Sequence, residues 1–233
     1  MSSIQTVGII GAGTMGNGIA QVCAVAGFNV TLIDIADSAL QKALATVGKN
    51  LDRQVSKGTL SEEQKSAALD KIATSTDYAS LHGVQLVIEA ATENLDLKLR
   101  LLQQAAAQVG SECVIASNTS SLSITQLAAS VSHPERFIGL HFFNPVPVMK
   151  VVEVVPGLRT EPALCTALAE LVRQMGHTPV LAQDTPGFIV NHAGRGYGTE
   201  ALRVAGERVA DFATIDRILR DQVGFKLGPF ELF

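Results

Sequence analysis

The sequence predicts an α/β domain built on a doubly wound, mostly parallel sheet, followed by the start of an all-helical segment. Two patterns predict this. Short apolar runs, several of them continuous rather than alternating in hydrophobicity, recur between helically spaced stretches as far as Leu181. Parallel strands buried on both faces and joined by crossover helices read this way. Beyond Asp184-Thr185-Pro186-Gly187 only helical patterns remain. The expected boundaries are a first domain over 1–184 and a partial helical domain over 185–233.

The first strand is the apolar run Ile4–Ile10, which ends in Gly11-x-Gly13-x-x-Gly16. A helix follows at once, with Met15, Ile19, Val22, Cys23 and Ala26 on one face. A second run, Asn29–Ile33, ends on Asp34, 18 residues after Gly16. Strand, glycine turn, helix, strand and acid in this order form a Rossmann-like dinucleotide-binding unit. Gly11 permits the tight turn, Gly13 lets the backbone approach a pyrophosphate, and Gly16 allows close helix packing. The helix N-terminus offers N–H groups and partial positive charge to the phosphates. Asp34 is placed to accept hydrogen bonds from a ribose diol. Its carboxylate repels a 2′-phosphate, and Ile35-Ala36 brings no arginine to hold one, so the expected cofactor is NAD rather than NADP.

A long helix comes next, with Leu40, Ala43, Leu44, Val47, Leu51 and Val55 inward. Gly58-Thr59 breaks it, and Ser61 to Gln64 has the pattern that caps a second, short helix. Asn50, Arg53 and Lys57 share one side of the long helix. They fit a solvated polar face or a contact for a phosphorylated substrate. Strands are expected at Lys71–Thr74, Val84–Ala91, Cys113–Ala116, Phe137–Phe143, Val151–Val155 and Thr178–Leu181. The helices between them bury Leu95, Leu99, Leu102, Ala106 and Val109, run from Ile124 to Val131, and run from Pro162 to Met175. The helical end is expected over Phe188–Glu207 and Thr214–Val223, the latter capped by Asp211 or Thr214. Ligands of doubly wound sheets gather beyond the carboxyl ends of the strands. The polar clusters Glu93-Asn94, Asn118–Ser121 and His141–Asn144 all fall there.

Composition excludes other classes. Of 233 residues, 17% are charged and the net charge is −4, with no long basic run to meet nucleic acid. No apolar run reaches the roughly 18 residues of a membrane span. The first strand begins after three residues, which leaves no room for a signal peptide. Cys23, Cys113 and Cys165 are scattered, odd in number and without a CxxC pair, as in buried thiols of a reducing cytoplasm; no zinc or other metal site is expected.

Of five histidines, His82, His133, His177 and His192 lie in or near predicted loops or turns, with no acidic partner by pattern. His141 differs, because it ends an apolar strand at the ligand edge. Glu153 lies on the next strand, and Asn144-Pro145-Val146-Pro147 turns the chain between them. A carboxylate on one ring nitrogen fixes the tautomer and leaves the other as general base. A satisfied structural histidine fits the same pattern.

The combination of Gly11–Gly16, Asp34, Ser117-Asn118-Thr119-Ser120-Ser121, Leu140–Lys150 (LHFFNPVPVMK), Val152-Glu153-Val154, Asp184–Asn191 (DTPGFIVN) and Gly228–Leu232 (GPFEL) resembles the L-3-hydroxyacyl-CoA dehydrogenases, in the 3-hydroxybutyryl-CoA or 3-hydroxyadipyl-CoA branch. The resemblance covers the whole chain. It implies NAD-dependent oxidation of an L-3-hydroxyacyl-CoA to the 3-oxoacyl-CoA, with His141 as general base and Glu153 as its partner. It implies that Ser120 and Asn191 bond the substrate oxygen, and that Gly11, Gly13, Thr14, Met15, Gly16, Asp34, Glu93, Lys98, Ser120 and Asn144 hold NAD. Lys57 and Asn50 then approach the coenzyme A portion. The partner is an acyl-CoA thioester, with neither nucleic acid nor membrane, in a cytoplasmic homodimer. The family pattern continues past Gly-Pro-Phe-Glu-Leu into further helices, whereas this sequence stops at Phe233. The expectation is a C-terminally truncated chain that folds and binds NAD but turns over weakly. Alternatives are a dehydrogenase of free 3-hydroxy or sugar acids, and a non-catalytic NAD-binding protein on the same fold.

Overall fold

The computed structural model describes residues 4–232; the three residues ahead of them and Phe233, where the sequence stops, lie outside that range. The chain divides into two compact units between Thr185 and Pro186. The first unit alternates β1 (Thr6–Ile10), α1 (Thr14–Val25), β2 (Asn29–Ile33), α2 (Asp37–Ser56), α3 (Glu62–Asp70), β3 (Ile72–Ser75) and β4 (Leu86–Glu89). It continues with α4 (Leu95–Ala106), β5 (Val114–Ser117), α5 (Ile124–Ala128), β6 (Phe137–Phe142), β7 (Val151–Pro156), α6 (Pro162–Gln174) and β8 (Thr178–Leu181).

One sheet holds all eight strands in the order β3-β2-β1-β4-β5-β6-β7-β8. The first six run parallel, β7 reverses against β6, and β8 runs parallel to β7. This is a doubly wound, mostly parallel Rossmann-like sheet. Its order switches at β1, which pairs with both β2 and β4, and such a switch opens a crevice at the carboxyl ends. The continuous apolar runs are the central strands. Every residue of β4, β5 and β6 is buried, because helices cover both faces. The larger core cluster joins α1, the inward face of α2 (Leu40, Ala43, Val47, Leu51) and one face of the sheet.

Local chemistry sets the helix ends. Ser61 and Gln64 form a reciprocal capping box at the start of α3. Asn94 caps α4 by accepting from the Leu97 N–H at 2.9 Å. The α4 pattern differs from the expected one: Lys98, Leu102 and Ala105 are buried, and the helix ends at Ala106. A charged residue occupies the inward face because its partner, Glu89, is buried beneath it. The helix expected to reach Val131 stops at Ala128. Ser130 turns its hydroxyl onto the Leu127 carbonyl at 2.7 Å, and Pro134 follows.

Asp184, a chain break by pattern, also helps cap α5 from outside the helix, beside the N-cap residue Ser123. It accepts from Ser123 Oγ at 3.0 Å, the Ile124 N–H at 2.9 Å and the Thr125 N–H at 2.8 Å. Partial burial alone raises its pKa, but these donors outweigh it and hold the carboxyl below its usual range. A lowered folded-state pKa gives stability that is present above the ordinary value and lost as pH falls through the lowered one. Asp184→Ala is therefore expected to cost about 1–2 kcal/mol near neutrality, as for other lost caps. The deficit against wild type is expected to close as pH falls from neutrality to below the lowered carboxyl pKa. Urea unfolding at both pH values checks this; a deficit independent of pH contradicts it.

The second unit carries α7 (Val190–Gly206) and α8 (Phe212–Asp221). α7 starts at Val190 rather than Phe188, whose φ of 51° lies in the left-handed region. Asp211 caps α8, accepting from the Thr214 N–H at 2.7 Å. Buried Asp216 accepts from the Phe230 N–H at 2.9 Å, and a Cβ at Gly228 would fall 2.3 Å from its Oδ1.

Candidate active site

The glycine turn is built as a phosphate cradle. Gly11 has φ +101°, and a Cβ there would meet the Ala90 carbonyl at 2.9 Å. A Cβ at Gly16 would fall 1.7 Å from the Gly11 carbonyl oxygen, so α1 seats directly on the turn. Gly13, at the N-cap of α1, faces open space, so its missing side chain leaves the backbone bare to a ligand. Thr14 opens the helix, and half-buried Met15 packs on the core behind it. The cradle fits a pyrophosphate.

Asp34 leaves β2 beside this turn. Its Oδ2 accepts from the Ala12 N–H at 2.8 Å and its Oδ1 from the Ala36 N–H at 3.2 Å. Each carboxylate oxygen keeps capacity for a second donor. Two clefts meet at Gly13 and Asp34. One, of about 300 Å³, is lined by Ile10, Ile33, Ile35, Ala90, Leu97 and Leu101, with Tyr78 on its wall. Burial, reinforced by the carboxylates of Glu89 and Asp34, pushes the Tyr78 hydroxyl up to about 12, so it remains a donor. The other cleft, of about 460 Å³, runs between α1 and α2, past Lys42 and Asn50, to Asn144–Pro147. Tyr78 and Lys42 were not legible as site residues, because loop and helix surfaces carry such side chains everywhere.

The ends of β4 and β5 are tied by two glutamates and one lysine. Glu89 is fully buried and accepts from Lys98 Nζ at 2.7 Å, Ser117 Oγ at 2.6 Å and the Ala91 N–H at 2.7 Å. Lys98 also donates to the Ala91 carbonyl at 3.2 Å and pairs with Glu93 at 3.4 Å. An ammonium has three protons, and these three acceptors match them. Lys98 is 1% exposed and meets the loops at this edge of the sheet through Glu89 and Glu93. Glu93 accepts from the Thr119 hydroxyl, the Ser120 N–H at 3.0 Å and Ser121 Oγ at 3.2 Å, which fixes the loop carrying Ser120. Burial alone raises the Glu93 pKa, but the Thr119 hydroxyl, Lys98 and the Ser120 N–H together hold it below its usual range.

His141 and Glu153 meet because β7 reverses. The antiparallel register sets His141 opposite Glu153, and Nδ1 lies 2.6 Å from Oε2. Glu153 is 0% exposed and His141 5%. The Phe143 ring lies 4.3 Å from the imidazole. The Asn118 side-chain oxygen accepts from the Phe142 N–H at 2.9 Å, locking the end of β6 to the loop that carries Ser120. Asn144 follows, exposed on the wall of the larger cleft. His177, by pattern a loop histidine, is buried between the carbonyls of Met175 and Val146, 3.0 Å from each. Nothing local in the sequence announces that contact, since Val146 is distant in the chain.

Asn50 is half-buried and its amide donates to Gln21 Oε1 at 3.2 Å, within the wall of the larger cleft. Lys57 stands exposed at the C-cap of α2, one residue beyond the helix, and does not line that cleft. Asn191 lies in the second unit, in the first turn of α7. Among the described residues no cluster of three or more His, Cys, Asp or Glu is arranged to hold a metal, and no helix is long and apolar enough to cross a membrane. Burial pushes Cys23 and Cys113 up to about 12, so both remain thiols.

The likeness to known proteins runs the length of the chain. Residues 6–185 match the NAD-binding domain of 3-hydroxyacyl-CoA dehydrogenase, and residues 187–233 match its C-terminal domain. The chain is 46% identical over 232 residues to 3-hydroxyadipyl-CoA dehydrogenase of Escherichia coli, covering all of this chain but 49% of that protein. It thus spans about half the length of that relative. It is 42% identical over 229 residues to 3-hydroxybutyryl-CoA dehydrogenase of Bradyrhizobium diazoefficiens, covering 98% of this chain and 78% of that one. A crystal structure of (S)-3-hydroxybutyryl-CoA dehydrogenase from Ralstonia eutropha superposes with TM-score 0.95 at 50% identity, over 97% of this chain and 80% of that one. Since the matched segments take in both the glycine cradle and the helices beyond Pro186, the chain belongs to the 3-hydroxyacyl-CoA dehydrogenase family.

Proposed function

We propose that the protein oxidises an L-3-hydroxyacyl-CoA to the 3-oxoacyl-CoA, in fatty-acid or aromatic-acid degradation. The observation that carries this reading is the buried His141–Glu153 pair on adjacent strands, beside the loops that follow β4 and β5. NAD, when bound, supplies the hydride acceptor. The residues suited to hold it are Gly11, Gly13 and Thr14 at the pyrophosphate and Asp34 at the ribose, with Glu93, Ser120 and Asn144 nearer the reacting end. The apolar cleft suits the adenine.

The rest of the chemistry falls to the side chains. Glu153 occupies Nδ1 and fixes the tautomer, so proton transfer falls to Nε2. As the C3–H bond gives up its hydride, the C3 hydroxyl passes its proton to Nε2, and the carboxylate steadies the imidazolium that forms. Ser120 and Asn191 are proposed to hold the C3 oxygen. Asn50 and Lys57 are proposed contacts for the coenzyme A portion, Asn50 from the cleft wall and Lys57 from the helix end. The full-length protein is proposed to be a cytoplasmic homodimer whose domains divide near Asp184. Unpaired thiols support the reducing compartment.

Asp34→Ala is expected to weaken NAD binding about tenfold or more, since a charge-assisted contact to the ribose is lost, and to narrow the gap to NADP. Titrating both cofactors against both proteins checks this; unchanged NAD affinity removes Asp34 from the ribose. The function itself is tested by hydride transfer to acyl-CoA thioesters, described below.

A further inference from the structure

The NAD reading leaves one cation of the cleft without a role. Lys42 lines the larger cleft together with Asp34, Gly13 and Thr14. It lies in the second turn of α2, and among the described residues it forms no ion pair. The small residues Ala39 and Ala43 flank it and leave the cleft open. Thr46 turns its hydroxyl back onto the Lys42 carbonyl at 2.8 Å and is not aimed at a ligand. The N-cap of α2 is Ala36, with no side-chain cap, so the first-turn N–H groups add positive potential at the same end. Asp37, exposed in that first turn, is the opposing carboxylate at this end of the helix; Asp52, farther along it, pairs with Lys65.

The two clefts share Gly13 and Asp34. An adenine placed in the apolar cleft would bring its ribose toward those two residues, which also line the larger cleft. A phosphate on the 2′-oxygen would enter that cleft between Asp34 and Lys42. The geometry points to Lys42 as a second determinant of cofactor choice, one that opposes Asp34: it is the cation that would attract a 2′-phosphate, while the Asp34 carboxylate repels the same group and outweighs it. NAD preference is then a balance of one repulsion over one attraction and not the absence of a phosphate site. This rests on the assignment of the cleft to NAD.

The test is equilibrium binding of NADH and of NADPH, read by nicotinamide fluorescence, to wild type, Asp34→Ser, Lys42→Met and the double variant. Serine retains an acceptor for the Ala12 N–H. Asp34→Ser is expected to gain NADPH affinity. Adding Lys42→Met is expected to remove about five- to tenfold of that affinity, the range for an exposed charge-assisted contact to phosphate. NADH affinity is expected to move by less than about twofold, because NADH has no 2′-phosphate. In Asp34→Ser, NADPH binding is expected to weaken more steeply with salt than in the double variant. Lys42→Met alone changes an exposed side chain and covers the case in which Asp34→Ser does not fold; it is expected to weaken NADPH and spare NADH. Equal NADPH affinity with and without Lys42 overturns the inference, as does an equal loss for both cofactors, which would place Lys42 on a group they share. Failure of wild type to bind NADH overturns the cofactor assignment itself, a result separable from either.

Discussion

Replacing His141 by glutamine is expected to lower turnover of the full-length protein at least about a hundredfold, the lower end for loss of a general base. Glutamine keeps much of the size and polarity but does not take a proton near neutrality. The site is well suited to show this cleanly. His141 is the penultimate residue of β6, and its neighbours are fixed by backbone contacts: the Phe142 N–H to Asn118, and the β6–β7 ladder. NAD affinity, which we assign chiefly to the β1–α1 turn and Asp34, is therefore expected to stay nearly constant. Glu153→Gln is also expected to slow turnover, because the neutral amide supplies no charge to stabilise the imidazolium. Single-turnover kinetics separate chemistry from product release. Wild-type turnover in His141→Gln at saturating substrate removes the histidine from the mechanism.

The second large effect is expected on stability. Glu89 and Lys98 are 0% and 1% exposed, and their charges lie 2.7 Å apart. Removing one partner leaves the other charge buried and unpaired, which costs about 3–5 kcal/mol. Lys98→Met and Glu89→Gln are each expected to lose stability in that range by urea unfolding. The double variant is expected to lose less than the sum, because the stranded charge is gone. It is not expected to recover fully, since the Ala91 N–H and Ser117 Oγ also depend on Glu89. NAD affinity should fall with Lys98→Met, because Glu93 and the Ser120 loop lose the cation that organises them. Single variants within about 1 kcal/mol of wild type contradict this account.

These two sites differ in how far they can be read from sequence. The order of strands and helices is legible because parallel strands are apolar throughout and helices are apolar at intervals; Val114–Ser117 and Leu40–Leu51 show the two patterns plainly. The glycine turn is legible because each glycine answers a local steric demand, such as the 1.7 Å clash at Gly16. The His141–Glu153 contact can be anticipated because the link between the two strands, residues 143–150, is too short for a helical crossover, so the chain has to turn back. Lys98 could not be placed by pattern. On helix periodicity a charged residue belongs outside, and its partners lie on a strand and a loop that precede the helix. Asp184 capping α5 and His177 bracing Val146 are likewise contacts between segments far apart in sequence. Periodicity reports which face of an element is inward; it does not report which polar groups meet across the interior.

The central claim, oxidoreduction at C3 of an acyl-CoA thioester by NAD, is tested most directly by following NADH absorbance with full-length protein and acetoacetyl-CoA, 3-oxoadipyl-CoA and free acetoacetate side by side. The account predicts NADH consumption with a thioester, and a kcat/KM for the free acid lower by at least about a hundredfold, because the binding energy of the coenzyme A portion is then lost to the transition state. Equal rates with thioester and free acid, or no turnover of either thioester, would contradict it.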